Sequence, residues 1–225
     1  MIVDLKSQFS DSPLVQEVYQ ARSVGGGSFT SVAASNWEMV ITKQQGRIIL
    51  SIRGPETKAS PSPIPRDAEF LGIIFKHGAF MPSLPVGKFV DKEIHLPETS
   101  RNSFQLFGDT WEFPKLENVD TFVKRLLHDD LLIHDQVVDD VLRGKTQDLS
   151  LRSVQRRFLQ VTGLTYKTIQ QIERARQAAS LLQRGVPISD TTYQTGYFDQ
   201  AHLTNSLRRY YGQTPAQIVQ AANPE

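Results

Sequence analysis

Three polar side chains at helical spacing give this chain its clearest chemistry. Arg152, Gln155 and Arg156 fall on one face of a helix that the pattern predicts over about 150–161. Ser150 is a good N-terminal cap for it, because a serine hydroxyl can accept from the unpaired amides of the first turn. Arginine can donate two hydrogen bonds to guanine, and glutamine can form two with adenine. Such a face has the chemistry needed to read bases in the major groove of DNA.

The opposite side of this helix is apolar. Its side chains recur at helical spacing and predict a buried stripe of Leu151, Val154, Phe158 and Val161. Arg157 lies toward the flank, where it would hold a phosphate rather than a base. A scaffold helix that Asp135 caps is predicted just upstream, ending near Gly144.

A second capped helix is predicted over about 200–211. Asp199 is its N-cap, and Leu203, Leu207 and Tyr210 form its apolar stripe, with a polar and partly basic face opposite. Thr214 to Gln217 has capping-box spacing, so another helix is predicted to begin at Pro215. By itself this segment fits an ordinary amphipathic surface helix as well as one that enters a groove.

The order of three motifs resembles the AraC/XylS family of transcription regulators. Residues 196–215 read GYFDQAHLTNSLRRYYGQTP, which is similar to the second helix-turn-helix of that family. Residues 150–158, SLRSVQRRF, followed by Gly163, resemble its first recognition helix, and 174–182, RARQAASLL, resemble its linker helix. The resemblance is strong over 135–218 and weak before that, and it implies a sequence-specific DNA-binding regulator with tandem helix-turn-helix units.

The resemblance also assigns roles to individual residues. Base-reading positions fall on Arg152, Gln155, Arg156, Gln200, His202, Thr204 and Asn205, and phosphate contacts on Arg157, Arg208 and Arg209. Ala201 would meet a thymine methyl group. Asn205 stands where the family often has arginine, so the first unit is expected to carry most of the specificity and the second mainly to anchor.

Two further features bear on the helical part. Thr191 and Thr192 stand where the family usually has an aliphatic residue and an alanine, which puts the rigidity of that helix in question. The linker helix, predicted from about Tyr166 to Gln183, would be roughly 27 Å long. Since successive major grooves on one face of DNA are about 34 Å apart, it could hold each unit in a groove.

Charge is distributed unevenly along the chain. Residues 1–149 contain 16 Lys and Arg against 20 Asp and Glu, whereas residues 150–225 contain 9 against 4. A basic C-terminal third suits contact with phosphates, and an acidic remainder would be repelled by them.

The N-terminal half is predicted to be a β-rich, barrel-like domain. Apolar runs at 37–42 and 47–52 flank a turn at Gln44 to Gly46 and indicate a hairpin, and 70–75 and 88–94 are further predicted strands. The prolines at 61, 63 and 65 indicate a loop. We therefore predict an α+β chain with a cupin-like sensor or dimerisation domain over 1–115, a connecting helix within 116–134 and an all-α tandem helix-turn-helix domain over 135–225.

Four aromatic residues are candidates for a ligand cavity in the N-terminal domain: Trp37, Phe75, Phe80 and Trp111. Core packing is the more frequent role for any one of them. The chain has no cysteine, which excludes disulfides, thiolate nucleophiles and cysteine–zinc sites. His77, His95 and His128 lack metal-ligand spacing, so no metal, no cofactor and no catalysis are expected.

Two other functions stay open at this stage. One is a metal-dependent cupin-type enzyme with a helical appendage, and the other is an interaction module whose DNA binding is weakened, which Thr191, Thr192 and Asn205 would favour. No apolar run approaches the roughly 20 residues that span a bilayer, and the start of the chain lacks a signal-peptide pattern. A cytoplasmic protein is expected, with promoter DNA, a small-molecule effector, a second copy and RNA polymerase as the partners that the resemblance implies.

Overall fold

The structure, a computed structural model, describes residues 2–222. Contacts divide these residues into two compact units. Unit 1 contains 2–28, 36–55 and 63–165, and unit 2 contains 29–35, 56–62 and 166–222. The chain therefore passes between the units five times. This division does not follow the predicted domain bounds at 115 and 134. Those bounds are meant for domains that fold separately, which a division by contacts does not test, so they stay a prediction.

A six-stranded antiparallel sheet forms the centre of unit 1. Its strands, in spatial order, are β1 (Ile2–Gln8), β2 (Val15–Ser23), β7 (Glu69–Phe75), β4 (Glu38–Gln44), β5 (Arg47–Arg53) and β9 (Glu93–His95). The predicted hairpin is confirmed, since β4 pairs with β5 from Glu38↔Arg53 to Gln44↔Arg47. Gln45 and Gly46 form its turn with positive φ, the geometry that two-residue hairpin loops require.

The β-rich N-terminal part and the helical C-terminal part are confirmed, but the barrel is wrong. Within residues 2–222 the sheet ends at β1 on one side and at the three-residue β9 on the other, and these edges do not pair with each other. The strand predicted over 88–94 is also wrong. A 3-10 helix (Val86–Phe89) and a turn occupy most of it, because Pro85 starts the 3-10 helix and only Glu93 onward pairs with β5.

Two smaller sheets complete unit 1. β10 (Glu98–Ser100), β11 (Ser103–Leu106) and β12 (Asp109–Glu112) form one, and β8 (Ala79–Phe80) pairs with β13 (Ile133–His134) in the other. Helix α1 (Val119–His128) confirms that a helix forms within 116–134, and it buries Phe122, Val123 and Leu126 in the same core as the large sheet. Strands β2, β4, β5 and β7 contribute nine more side chains to this core. The role of α1 as a connection between domains stays a prediction.

Helices α2 (Gln136–Leu142) and α3 (Leu151–Thr162) also belong to unit 1, where they pack against each other. Asp139 on α2 is buried; its carboxylate accepts from the amide of Gly78 at 3.2 Å and lies 2.7 Å from Nε2 of His134. A buried carboxylate needs such partners because it has left water. They fix α2 to the loop before β8 and to β13.

Unit 2 contains the remaining helices and one two-stranded sheet. The helices are α4 (Tyr166–Gln183), α5 (Ile188–Gln194), α6 (Gln200–Tyr210) and α7 (Pro215–Ala222), and α4 packs against the other three. β3 (Gly27–Ser31) pairs with β6 (Ser60–Ile64). The loop predicted at the prolines is therefore wrong, because Pro61 and Pro63 alternate along β6 and leave the ladder donors of the residues between them intact. None of the helices within 2–222 combines the length and apolar character that crossing a lipid bilayer requires.

Candidate nucleic-acid interface

Helix α3 presents the three polar side chains that the sequence singled out. The hydroxyl of Ser150 accepts a hydrogen bond from the amide of Ser153 at 3.2 Å, which confirms the predicted cap. Arg152, Gln155 and Arg156 are all exposed. The ion pairs formed within residues 2–222 leave Arg152 and Arg156 without an acidic partner. Both guanidinium groups therefore have their donors available for an external acceptor.

Arg157 differs from the other two arginines of this helix. Asp135 caps α2 through Oδ1, which accepts from the amides of Val137 and Val138, and its Oδ2 accepts from Nη1 of Arg157 at 2.6 Å. This bond ties the exposed side of α3 to the start of α2. One nitrogen of Arg157 is thereby occupied, and its phosphate contact stays a prediction.

The C-terminal half of α3 fixes the helix within unit 1. Phe158 and Val161 are buried, as the apolar stripe predicted. The helix ends at Gly163, whose φ of 73° lies in the left-handed region that favours glycine. A Cβ at Gly163 would lie 2.8 Å from Cα of Gly87, so α3 ends in close contact with the 3-10 helix at Val86–Phe89.

The N-terminal half of the predicted stripe is wrong. Leu151 is 83% exposed, and Val154 is only partly buried. The helical period is correct, but the first turn of α3 extends past the parts of unit 1 that cover Phe158 and Val161. An apolar side chain thus stands in solvent next to the arginines.

Helix α6 presents the second set of predicted side chains. The carboxylate of Asp199 accepts from the amide of His202 at 2.7 Å, which confirms the cap, and Leu203, Leu207 and Tyr210 are buried. On the outer face the exposed side chains are Gln200, Ala201, His202, Asn205, Arg208 and Arg209. Thr204 is partly buried and its hydroxyl donates to the carbonyl of Gln200 at 2.8 Å, so a base contact would have to use its lone pairs or its methyl group.

An aromatic contact orients His202. Its ring packs edge-on against the ring of Tyr197, with 5.1 Å between centroids, and the guanidinium of Arg174 lies 4.5 Å from the same tyrosine ring. The Tyr197 hydroxyl is 2.7 Å from that of Ser206. Burial raises the pKa of the Tyr197 phenol above its ordinary value, which keeps it protonated. The imidazole is therefore held in a defined position at the start of α6.

The hydroxyl groups of Thr191 and Thr192 have partners, although both residues are buried. Thr192 donates to the carbonyl of Ile188 at 2.7 Å, and Thr191 lies 3.5 Å from the carbonyl of Val186. Hydroxyls satisfied in this way cost little when they are buried. The two threonines are thus compatible with an ordered α5.

Unit 2 contains an element that the sequence did not reveal. We call residues 29–35 and 56–62 the ribbon. The amide of Ala33 donates to the carbonyl of Tyr210 at 2.7 Å, and the amide of Ala59 donates to that of Arg209 at 2.8 Å. The last carbonyls of a helix have no partner within the helix. The ribbon therefore caps the C-terminus of α6.

The ribbon is also bound to α4. Nη1 of Arg176 donates to the carbonyl of Ala33 at 3.1 Å, and the hydroxyl of Ser35 donates to the carboxylate of Glu173. These contacts join residues more than a hundred positions apart in the sequence. The sequence did not indicate this element, since the prolines of β6 predicted a loop and nothing indicated its pairing with β3.

Three of the four candidate cavity residues are buried in the core of unit 1. Trp37 stacks on Phe75 with 4.1 Å between ring centroids and donates from Nε1 to the carbonyl of Ala79, and both rings are buried in the core. Phe80 is partly buried. Trp111 packs against Phe122 and lines a cleft of about 560 Å³ between α1 and β10–β12. Contact of any of them with a ligand stays a prediction.

The histidines and acidic residues within 2–222 do not form a cluster of three or more that could hold a metal ion. His95 bonds through Nδ1 to the hydroxyl of Ser51, at 2.8 Å. His134 faces Asp139, as described above. These two rings are used within the fold of unit 1.

Residues 145–221 match a family described as a helix-turn-helix domain. The HTH-type transcriptional regulator RipA of Corynebacterium glutamicum is 36% identical over 73 residues, which are 32% of this chain and 22% of RipA. The chain thus spans about a fifth of the length of that curated relative.

Two crystal structures of ToxT from Vibrio cholerae O395 are similar to the chain, each with a TM-score of 0.42 and 9% identity. One of them is bound to (E)-4-(8-methylnaphthalen-1-yl)but-3-enoic acid. The similarity covers 93% of this chain for that structure and 95% for the other, and 100% of ToxT in both.

Proposed function

We propose that this chain, whose residues 145–221 are a helix-turn-helix domain of the AraC type, regulates transcription by binding a specific DNA sequence. The observation that carries the proposal is the outer face of α3. Three side chains able to make bidentate base contacts stand exposed on a helix that is capped at its start and buried along the C-terminal half of its back. Two of them, Arg152 and Arg156, are free of acidic partners within residues 2–222.

Base reading falls mainly to α3. Arg152 and Arg156 would each donate two bonds to O6 and N7 of a guanine, and Gln155 would pair with an adenine. Each good bidentate contact discriminates against a wrong base by about 1–3 kcal/mol. A strong preference for two guanines and one adenine within one half-site is the signature expected of this helix.

Helix α6 mainly anchors the protein. The polar side chains of its outer face are Gln200, His202 and Asn205, with no arginine among the predicted base-reading positions, and Thr204 has already used its proton within the helix. Arg208 and Arg209 stand exposed in the last turn, where they can pair with phosphates. Phosphate contacts add affinity without sequence preference, and they make that affinity depend on salt.

The test is a selection of bound sequences from a random DNA pool, followed by salt-controlled titrations with variants. Arg156→Ala is expected to relax the preference at one base pair and to cost about 1–3 kcal/mol on the selected site. Arg209→Ala is expected to weaken all sequences alike and to lower the salt slope by about one. Arg101→Ala, which removes the same charge from an exposed turn of unit 1, is the matched control and should change neither.

Unchanged specific binding in Arg156→Ala would refute the assignment of α3 as the reading helix. Enrichment of no sequence would instead favour an interaction module with weakened DNA binding. Stoichiometric metal in the purified protein would favour the alternative of a metal-dependent cupin-type enzyme.

The remaining parts of the proposal concern partners. We place the response to a small effector in the β-rich part, and we expect promoter DNA, a second copy of the chain and RNA polymerase as partners in the bacterial cytoplasm. The protein would act by binding and not by catalysis. Promoter occupancy measured with and without candidate effectors, together with the sedimentation mass of the protein–DNA complex, tests these parts.

A further inference from the structure

An exposed apolar side chain lies at the start of α3 and another lies just before the start of α6. Leu151, the first residue of α3, is 83% exposed, and Phe198, immediately before the cap of α6, is 93% exposed. The two helices belong to different compact units, so the observation is made twice independently. Single exposed apolar residues are common and need no explanation. Two such residues at the same end of both candidate reading helices do need an explanation.

Local packing would bury both residues, and in both cases it does not. Leu151 lies at the edge of the stripe of Phe158 and Val161, which are buried. It is also one helical turn before Gln155, so it borders the reading face of α3 as well. Phe198 precedes the N-cap, where an apolar residue often packs against the fourth residue of the helix. That fourth residue, Leu203, is fully buried while Phe198 remains in solvent, so this packing is not formed.

The N-terminal end of a recognition helix is the part that contacts base edges. Polar residues capable of reading bases lie close in sequence to both apolar side chains: Arg152 follows Leu151 directly, and Gln200 and His202 lie two and four positions after Phe198. Among the four bases only thymine offers an apolar group, its C5-methyl, in the major groove. The caps at Ser150 and Asp199 hold the first turns in place.

We infer that Leu151 and Phe198 each contact the methyl group of a thymine and so contribute specificity that the polar side chains do not supply. The inference rests on the proposed function and extends it to two apolar readers. The occupant of this surface is duplex DNA, because α3 and α6 contain no acidic residue and each carries two or more arginines. A protein partner is an outcome that the experiment separates.

The experiment uses the full chain and the duplex that it enriches from a random pool. Each thymine of that duplex is replaced in turn by deoxyuridine, which lacks only the C5-methyl group. Wild-type protein is expected to lose affinity about fourfold at no fewer than two thymines, since one buried methyl group is worth ~0.8 kcal/mol and a tenfold change ~1.4 kcal/mol. Leu151→Ala should abolish the loss at one of these thymines, and Phe198→Ala at another.

Matched controls are available in the chain. Leu159, on the same helix as Leu151, is 49% exposed, and Phe9, in unit 1, is 96% exposed. Leu159→Ala and Phe9→Ala should keep the wild-type response to deoxyuridine at every position. All four substitutions remove solvent-exposed side chains, so circular dichroism should show an unchanged fold.

Three outcomes would overturn the inference. Wild-type binding could be indifferent to deoxyuridine throughout, or the two variants could keep the full losses. The variants could also respond to deoxyuridine as the wild type does and yet fail to bind RNA polymerase in a pull-down. That result would assign the surface to a protein partner. In each of these cases a continued effect of Arg156→Ala leaves the proposed function standing, whereas failure to enrich any sequence would overturn both.

Discussion

Replacing Gly212 by alanine tests how tightly the ribbon holds the end of α6. Gly212 has φ of 77°, a left-handed conformation in which alanine costs about 1–2 kcal/mol. The added Cβ would also lie 2.7 Å from Cγ2 of Thr30 and 3.1 Å from Cβ of Ala59, both in the ribbon. Relief of such crowding costs typically 1–3 kcal/mol more. Unit 2 is therefore expected to lose about 2–5 kcal/mol.

Gly185→Ala supplies the matched control. Gly185 follows α4 with φ of 82°, and a Cβ there would meet nothing within 4 Å. It should cost only the backbone part, about 1–2 kcal/mol. The difference between the two variants then measures the contact with the ribbon.

Native-state hydrogen exchange gives the local measurement. The amides of Ala33 and Ala59 are protected by the carbonyls of Tyr210 and Arg209. In Gly212→Ala their exchange should rise roughly 5- to 150-fold, the equivalent of 1–3 kcal/mol. In Gly185→Ala it should change little, because a Cβ at that glycine would meet no atom of the ribbon.

A second substitution sharpens the test. Thr30→Ser removes the methyl group that the new Cβ would meet, so it should restore much of the protection in the Gly212→Ala background. Alone it should be nearly neutral, since Thr30 is exposed. Equal losses in the two glycine variants, together with no rescue by Thr30→Ser, would refute the packing of the ribbon on the end of α6.

Two further substitutions test the local structure of unit 2. Asp199→Ala removes the acceptor of the His202 amide and should lower the free energy of unfolding, measured in urea, by about 1 kcal/mol. Asp199→Asn keeps an acceptor and should lower it much less. Equal effects of the two variants would refute the cap. Thr192→Val exchanges a buried hydroxyl, bonded to the carbonyl of Ile188, for a methyl group of similar size. The free energy of unfolding should change by less than about 1 kcal/mol, because that hydroxyl contributes little net stability, and a larger loss would show that it holds α5.

The helices could be predicted from the sequence because their signals are local. Ser150, Asp199 and Thr214 each cap a helix through the residue three positions away, and all three caps form as predicted. Apolar periodicity similarly identified the buried back of α6 and the C-terminal half of that of α3. Such signals depend only on residues nearby in the sequence, so they do not change with the packing of the rest of the fold.

Burial at the ends of an element could not be predicted in the same way. Periodicity places Leu151 on the same face as Phe158, but it does not indicate how far along the helix the neighbouring elements extend. The structure covers one end of this face and leaves the other in solvent. The same reasoning explains the missing barrel, since strand patterns indicate which residues pair but not whether the two edge strands meet.

The ribbon explains why the helical part of this chain cannot be separated cleanly by sequence position. A fragment beginning at residue 135 would contain α6 but would lack the amides of Ala33 and Ala59 that satisfy the last carbonyls of α6. Arg176 would lose its carbonyl acceptor as well. Because these bonds link the first sixty residues to the helix proposed to anchor DNA, any change that moves the ribbon acts directly on the end of that helix.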